Sequence, residues 1–181
     1  MDEGRTVQQS RVVLAQHMGI ADANLAGAVH GGSIMKLVDT AGALAAVRFC
    51  GCPVVTAAID EMSFLEPVML GDLVTLTASV NGVGRTSMEV GIRVEAENVM
   101  TGVTKYASTA YLLYVALDQQ TRRPVPVPRL IAETPEEKRR MRQAEVRRKA
   151  RLARREALLA ERHEGGAGGT GEPSSSELDG E

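Results

Sequence analysis

The chain has 181 residues, 44% hydrophobic and 24% charged, enough for one ordinary domain with residues to spare. Those figures exclude fibrous and wholly disordered chains. A formal net charge of −2, from 21 Lys and Arg against 23 Asp and Glu, excludes a chain-wide polycation. With no Trp, 3 Tyr and 2 Phe there is little material for base stacking, so nucleic acid is not an expected partner.

The opening MDEGRTVQQSR is polar and acidic, with no apolar run behind a basic one, so no secretory signal is expected. No stretch approaches the ~18 apolar residues of a transmembrane helix. Lys36 and Asp39 interrupt residues 34–47, and Ser108 and Thr109 interrupt residues 107–117. Cys50 and Cys52 flank one glycine and, with only 3 His in the chain, fall short of a four-ligand zinc site. Reduced thiols are expected ahead of a redox role, in a cytoplasmic protein with no membrane insertion and no metal or cofactor.

Composition divides the chain into a flexible start (1–9), a folded domain (10–132), a basic helix (133–163) and an acidic Gly- and Ser-rich tail (164–181) expected to be disordered. Residues 1–132 carry 10 basic and 12 acidic side chains, residues 133–163 carry 11 and 6, and residues 164–181 carry no basic and 5 acidic. The net −2 is therefore a cancellation of −2, +5 and −5.

In chain order, a short strand is expected near residues 11–18. Residues 31–49 read as a helix, because Ile34, Leu37, Val38, Ala41 and Ala45 recur at helical spacing and Gly51 and Pro53 stop it. Val54–Phe64 reads as a strand ending before Pro67 and the Gly71-Asp72 turn. Residues 73–80 set Val74, Leu76, Ala78 and Val80 on one face and end at Asn81-Gly82 and Gly84, a hairpin signal. Residues 87–96 alternate Met88, Val90, Ile92 and Val94 against Glu89, Gly91, Arg93 and Glu95, the pattern of a half-buried strand. Residues 104–117 are apolar on both faces, as in a central strand covered twice. One long helix and four strands in hairpin succession make an α+β architecture, whose leftover apolar face is expected to meet a second copy of the chain.

The chemistry concentrates in residues 22–39. His30-Gly31-Gly32 opens the helix, where first-turn N–H groups lack intrahelical partners and could hold an oxyanion. The alternative is a plain loop-to-helix turn with Ser33 as the cap. Asp39 lies two to three turns in, with Met35 four residues before it and Gly42 three after. Its carboxylate could activate water or attack a carbonyl carbon, or it could simply pair with Lys36. Asn24 could orient water or a carbonyl, or serve only its own turn. No GxSxG elbow is present, and neither Cys sits in an activating setting, which leaves Ser or Cys nucleophiles without support.

With these residues the chain resembles the hotdog-fold acyl-CoA thioesterases, in the branch of YciA-type enzymes and brain acyl-CoA hydrolase. The likeness runs collinearly through about residues 10–155. It comprises Asp22-x-Asn24-x-x-Gly27, His30-Gly31-Gly32-x-Ile34-Met35, Asp39, Val55-Thr56, Phe64-x-x-Pro67-x-x-x-Gly71-Asp72, Gly84-Arg85-Thr86-Ser87-Met88, Tyr114-Val115-Ala116-Leu117-Asp118 and Pro126-x-Pro128-x-Leu130. It implies a long helix wrapped by an antiparallel sheet, an active site between two subunits, and assembly as a dimer and trimer of dimers. It further implies Asp39 as the catalytic carboxylate, as general base or nucleophile. Asn24 would come across the interface, and N–H groups around Gly31 and Gly32 would polarise the thioester.

Coenzyme A brings phosphates, so cations are expected at the site mouth. Arg85-Thr86-Ser87 offers a guanidinium and two hydroxyls in one turn, or merely a solvated hairpin; Arg48, Lys105 and Arg129 are further candidates. Residues 138–155 hold ten basic side chains and one acid, read as a solvated trailing helix or as a field that steers CoA. The expected activity is hydrolysis of acyl-CoA to fatty acid and CoA. The alternative is a non-catalytic acyl-CoA-binding regulator whose basic helix contacts nucleic acid. A hotdog dehydratase ranks third, because Asp-x-Asn-x-x-His is not present as such.

Overall fold

The computed structural model describes residues 4–166, with side chains described through Glu161. The chain divides into two compact units, Met1–Glu145 and Val146–Glu181. Of the expected acidic tail, residues 167–181 lie outside the described residues, while 164–166 continue a helix.

The first unit opens with β1 (Arg5–Thr6) and α1 (Val7–Ser10), where a flexible start was expected. Thr6 and Gln9 form a reciprocal capping box, each side chain accepting from the other's backbone N–H. Buried Ser10 accepts from Val80 N–H at 2.9 Å, so the segment is tied to the body of the domain. β1 also pairs in parallel with β7 (Leu130–Ile131).

The remaining elements are β2 (Val12–His17), α2 (Gly31–Cys50), β3 (Val54–Phe64), β4 (Asp72–Val83), β5 (Ser87–Asn98) and β6 (Val103–Ala116). They form one antiparallel sheet in the order β2-β4-β5-β6-β3. Against it lies α2, burying Ile34, Val38, Ala41, Gly42, Ala45, Ala46 and Phe49. The facing side chains Val74, Leu76, Ala78, Val80, Met88, Val90, Ile92 and Val94 are also buried, as their alternation predicts. Each Val, Leu, Ile or Met side chain among them contributes about 1.5–3 kcal/mol when fully removed from water.

Four expectations are corrected. β4, β5 and β6 follow one another in hairpins as expected, but β3 does not join that succession, because it pairs with β6 and not with β4. The connection from β3 to β4 crosses the start of α2 instead: Val29 N–H donates to Val68 O at 2.9 Å, and Ala28 bridges Met69. Nor does Asn81-Gly82 turn the chain. Asn81 is buried inside β4, a register shift between Val80 and Gly82 absorbs the irregularity, and the reversal comes at the other expected signal, Gly84, whose N–H donates to Ser87 O. Within one chain β6 is fully covered on one face and only partly on the other: Ala110, Leu112, Tyr114 and Ala116 are buried, while Tyr111, Leu113 and Val115 are partly exposed. Finally, the basic helix does not simply trail the domain.

That helix, α3 (Pro135–Gly166), starts at a second capping box, in which Thr134 and Glu137 exchange bonds of 3.0 and 3.1 Å. Its first turns belong to the sheet-bearing unit, with Met141 packed on the core and Ala144 buried. The second unit begins at Val146 and continues as helix with exposed Val146, Leu152, Leu158 and Leu159 among its cations. Among the described residues no helix is long and apolar enough to cross a membrane.

Candidate active site

Asp39 points from α2 toward the sheet, where two hydroxyls meet it. Thr56 Oγ1, on β3, donates to Asp39 Oδ1 at 2.6 Å. The Tyr114 hydroxyl, on β6, donates to the same Oδ1 at 3.2 Å and to the Asp39 carbonyl at 3.0 Å. The register explains the convergence: Thr56 lies directly opposite Tyr114, and Tyr114 opposite Met88. Among the described residues no ion pair joins Asp39 to Lys36, and no donor meets its Oδ2. One carboxylate oxygen is therefore pinned and the other stays open.

Gly42 makes this contact possible. A Cβ there would run into the Tyr114 hydroxyl and come within 3.0 Å of its ring, so only glycine lets the tyrosine reach α2. Burial, then the negative charge of Asp39, push the Tyr114 hydroxyl far above its ordinary range. It therefore remains a proton donor to the carboxylate.

At the start of α2 the cap is His30, not Ser33: His30 Nδ1 accepts from Gly32 N–H at 2.8 Å. The Gly32 N–H is thus already engaged, whereas among the described residues no acceptor meets the Gly31 N–H. The His30 N–H itself donates to Asp22 O at 2.7 Å, which fixes the chain as it enters the helix.

Asn24 serves its own loop. Its Oδ1 accepts from Ala26 and Ala28 N–H at 2.8 and 3.1 Å, and its Nδ2 reaches Val29 O only at 3.4 Å. Beside it Leu25 is fully exposed and Ile20 is 88% exposed.

The expected cations separate into two groups. Arg85 is exposed in the β4–β5 turn, whose backbone is fixed because its carbonyl accepts from Val127 N–H and that of Thr86 from Ala116 N–H. Ser87 is opposite Val115, so this turn lies at the same sheet end as the Thr56–Tyr114–Met88 row. Lys105 lies at the far end of β6, about 30 Å along the strand from Tyr114, and is not brought to Asp39 within this chain. Arg129 is exposed and its carbonyl accepts from Arg5 N–H, so it holds β1 in place. Arg48 donates to Arg11 O at 2.5 Å, a structural tie rather than a free cation. Sequence reasoning gave no site role to Thr56 or Tyr114. The one local signal was Gly42, a helix-interior glycine three residues from a carboxylate.

Residues 26–103 match the Thioesterase superfamily. The uncharacterized acyl-CoA thioester hydrolase YkhA of Bacillus subtilis (strain 168) is 39% identical over 135 residues, 75% of this chain and 78% of that protein. A solved apo-hexameric acyl-CoA thioesterase superposes with a TM-score of 0.81 at 34% identity, covering 84% of this chain and 97% of that one. An acyl-CoA hydrolase from Staphylococcus aureus, solved with butyryl coenzyme A, coenzyme A and coenzyme A disulfide, gives 0.81 at 30% identity over 89% and 98%. Variants of that hydrolase with one aspartate, one asparagine or one threonine replaced by alanine superpose at 0.80 to 0.83. With so much of its length shared with these proteins, and the same helix laid on the same sheet, the chain belongs to the hotdog-fold acyl-CoA thioester hydrolases.

Proposed function

We propose that the Asp39 carboxylate drives hydrolysis of an acyl-CoA thioester to the carboxylic acid and CoA, at a site completed by a second copy of the chain. The observation that carries this reading is the pinned carboxylate: Thr56 and Tyr114 hold Oδ1, which aims Oδ2 at a water or at the carbonyl carbon itself. Thioesters are activated enough for either route. Supporting it, the three positions replaced in the Staphylococcus aureus variants follow one another at the separations of Asn24, Asp39 and Thr56.

The oxyanion that forms as the carbonyl is attacked would be met by the Gly31 N–H at the positive end of α2. The Gly32 N–H joins it only when His30 Nδ1 lets go. Asn24 Nδ2, weakly held in its own loop, is the side-chain donor offered to a neighbouring subunit's site. Exposed Ile20 and Leu25 around it, with Val55, Ile59 and Phe64 on the edge strand β3, favour self-association there. A dimer, and by likeness to the hexameric relative a trimer of dimers, is the assembly to look for by light scattering. Arg85, with Thr86 and Ser87, is the first candidate for the CoA phosphates.

The test is CoA release from a panel of acyl-CoA esters from short to long chain. Asp39→Ala lowers kcat by about 10²–10⁴-fold, the range of a lost general acid or base. Unchanged turnover in that variant removes Asp39 from the mechanism. Saturable acyl-CoA binding by the native chain without any CoA release makes it a binding module instead.

A further inference from the structure

We propose that Cys50 and Cys52 form a redox-active dithiol that a low-molecular-weight disulfide converts to an intrachain Cys50–Cys52 disulfide. Both cysteines are free and partly exposed at the turn between α2 and β3. Their sulfurs lie 3.1 Å apart, with the Cys52 thiol donating to Cys50 Sγ, and the Cys50 thiol donates to the Cys52 carbonyl at 3.3 Å. Bonded sulfurs sit at about 2.05 Å, so closure requires an approach of about 1 Å. Between them, Gly51 holds the left-handed cap of α2 at φ 73°, and no side chain there resists the two sulfurs swinging together. The sequence showed two cysteines flanking a glycine; the fold turns both sulfurs to the same side.

The roles of the two sulfurs differ. Burial first, then the hydrogen bond to Cys50 and its charge, push the Cys52 thiol up to about 11, although the Leu117 N–H works the other way. Cys52 therefore keeps its proton and presents it to Cys50 Sγ, which makes Cys50 the attacking sulfur. In the first step the Cys50 thiolate attacks one sulfur of a small disulfide RSSR. The RS–SR bond breaks, RS⁻ leaves, and Cys50 carries the other RS as a mixed disulfide. In the second step Cys52 gives up its proton and its thiolate attacks Cys50 Sγ, displacing the second RS⁻. Two protein thiols are oxidised and RSSR is reduced to two RSH, with no other oxidant.

The full chain is equilibrated in glutathione and glutathione disulfide at rising ratio, quenched with N-ethylmaleimide, and weighed intact. The expected result is loss of the doubly alkylated species in favour of one with no maleimide, two hydrogens lighter and monomeric on a non-reducing gel. Cys52→Ser accumulates the glutathione adduct on Cys50, while Cys50→Ser, in which burial still holds the Cys52 thiol up, acquires its adduct on Cys52 several-fold more slowly at neutral pH. A persistent glutathione adduct or an interchain disulfide in the native chain, or two alkylated cysteines at every ratio, overturns the proposal. Equal rates in the two variants overturn the order of attack. None of these readouts depends on hydrolysis.

Discussion

Replacing Tyr114 with Phe removes one hydroxyl from the cluster around Asp39 and leaves the ring in place. The lost proton is shared between Asp39 Oδ1 at 3.2 Å and the Asp39 carbonyl at 3.0 Å. A hydrogen bond to a charged acceptor is worth about 1.5–3 kcal/mol. Because one proton serves two acceptors, and the 2.6 Å bond from Thr56 survives, the loss belongs at the low end. About 1.5–2 kcal/mol corresponds to a fall of about 10- to 30-fold in kcat. Steady-state CoA release measures it. KM should stay within about twofold, since the hydroxyl touches the carboxylate and not the acyl chain or nucleotide. Thermal unfolding is followed in parallel: Tyr114 is fully buried and its ring packing is kept, so the stability change should be that of the same lost hydrogen bond, about 1.5–2 kcal/mol. A native kcat in Tyr114→Phe refutes the idea that pinning Oδ1 limits the rate. A loss confined to KM refutes it equally.

Gly42→Ala drives a methyl into the Tyr114 hydroxyl and should cost about 1–3 kcal/mol of stability together with activity; adding Tyr114→Phe recovers part of the stability, as a double-mutant cycle by denaturant unfolding would show. The Tyr114 pKa is raised on folding, so the unfolded chain ionises first. Its stabilising effect is therefore complete below the ordinary tyrosine value of about 10 and fades as pH rises above it, so alkaline melting curves should fall more steeply for the native chain than for Tyr114→Phe. Arg85→Ala should raise KM for CoA esters several-fold and leave a truncated thioester without phosphates unaffected; equal KM changes for both would remove Arg85 from phosphate binding. Mixing Asp39→Ala and Asn24→Ala chains through unfolding and refolding should restore about a quarter of native sites if each site takes Asp39 from one subunit and Asn24 from the other, and none if both come from one chain.

The alternating strands and the helical stripe were legible because burial on one face writes its period directly into residue choice. Val74 to Val80 and Met88 to Val94 are such records. Pairing is not written that way. Nothing in residues 54–64 says whether they sit beside β4 or β6, and that choice depends on the crossing beneath the start of α2. Asn81-Gly82 misled for a related reason: the dipeptide has the chemistry of a turn, but here it supplies a buried polar side chain and a register shift. Thr56 and Tyr114 entered only as parts of resemblance motifs, without a role, since the partners of Asp39 lie 17 and 75 positions away in the chain. Only a glycine inside a helix, costing about 1 kcal/mol against alanine, marked in advance that something must come close.

The same arrangement bears on the proposal that a second copy of the chain completes the site. α2 contributes the carboxylate, β3 and β6 contribute the donors that fix it, and the sheet register brings Thr56 and Tyr114 face to face. Those contacts are internal and should form in any folded copy. The groups that would meet the carbonyl oxygen are held differently. The Gly32 N–H is occupied by His30, and Asn24 spends its Oδ1 on its own loop. Among the described residues the Gly31 N–H has no acceptor and Asn24 Nδ2 is held only at 3.4 Å; Phe64 lies against Gly31 and Leu25 follows Asn24, both exposed where water is a poor neighbour. Burying those side chains against a second copy would dry the place where the oxyanion forms, and donors gain strength as water leaves. On the proposed reading assembly and transition-state stabilisation are one requirement: a chain altered at Leu25 or Ile20 to stay monomeric should keep its fold and the Thr56–Asp39–Tyr114 cluster, yet lose turnover.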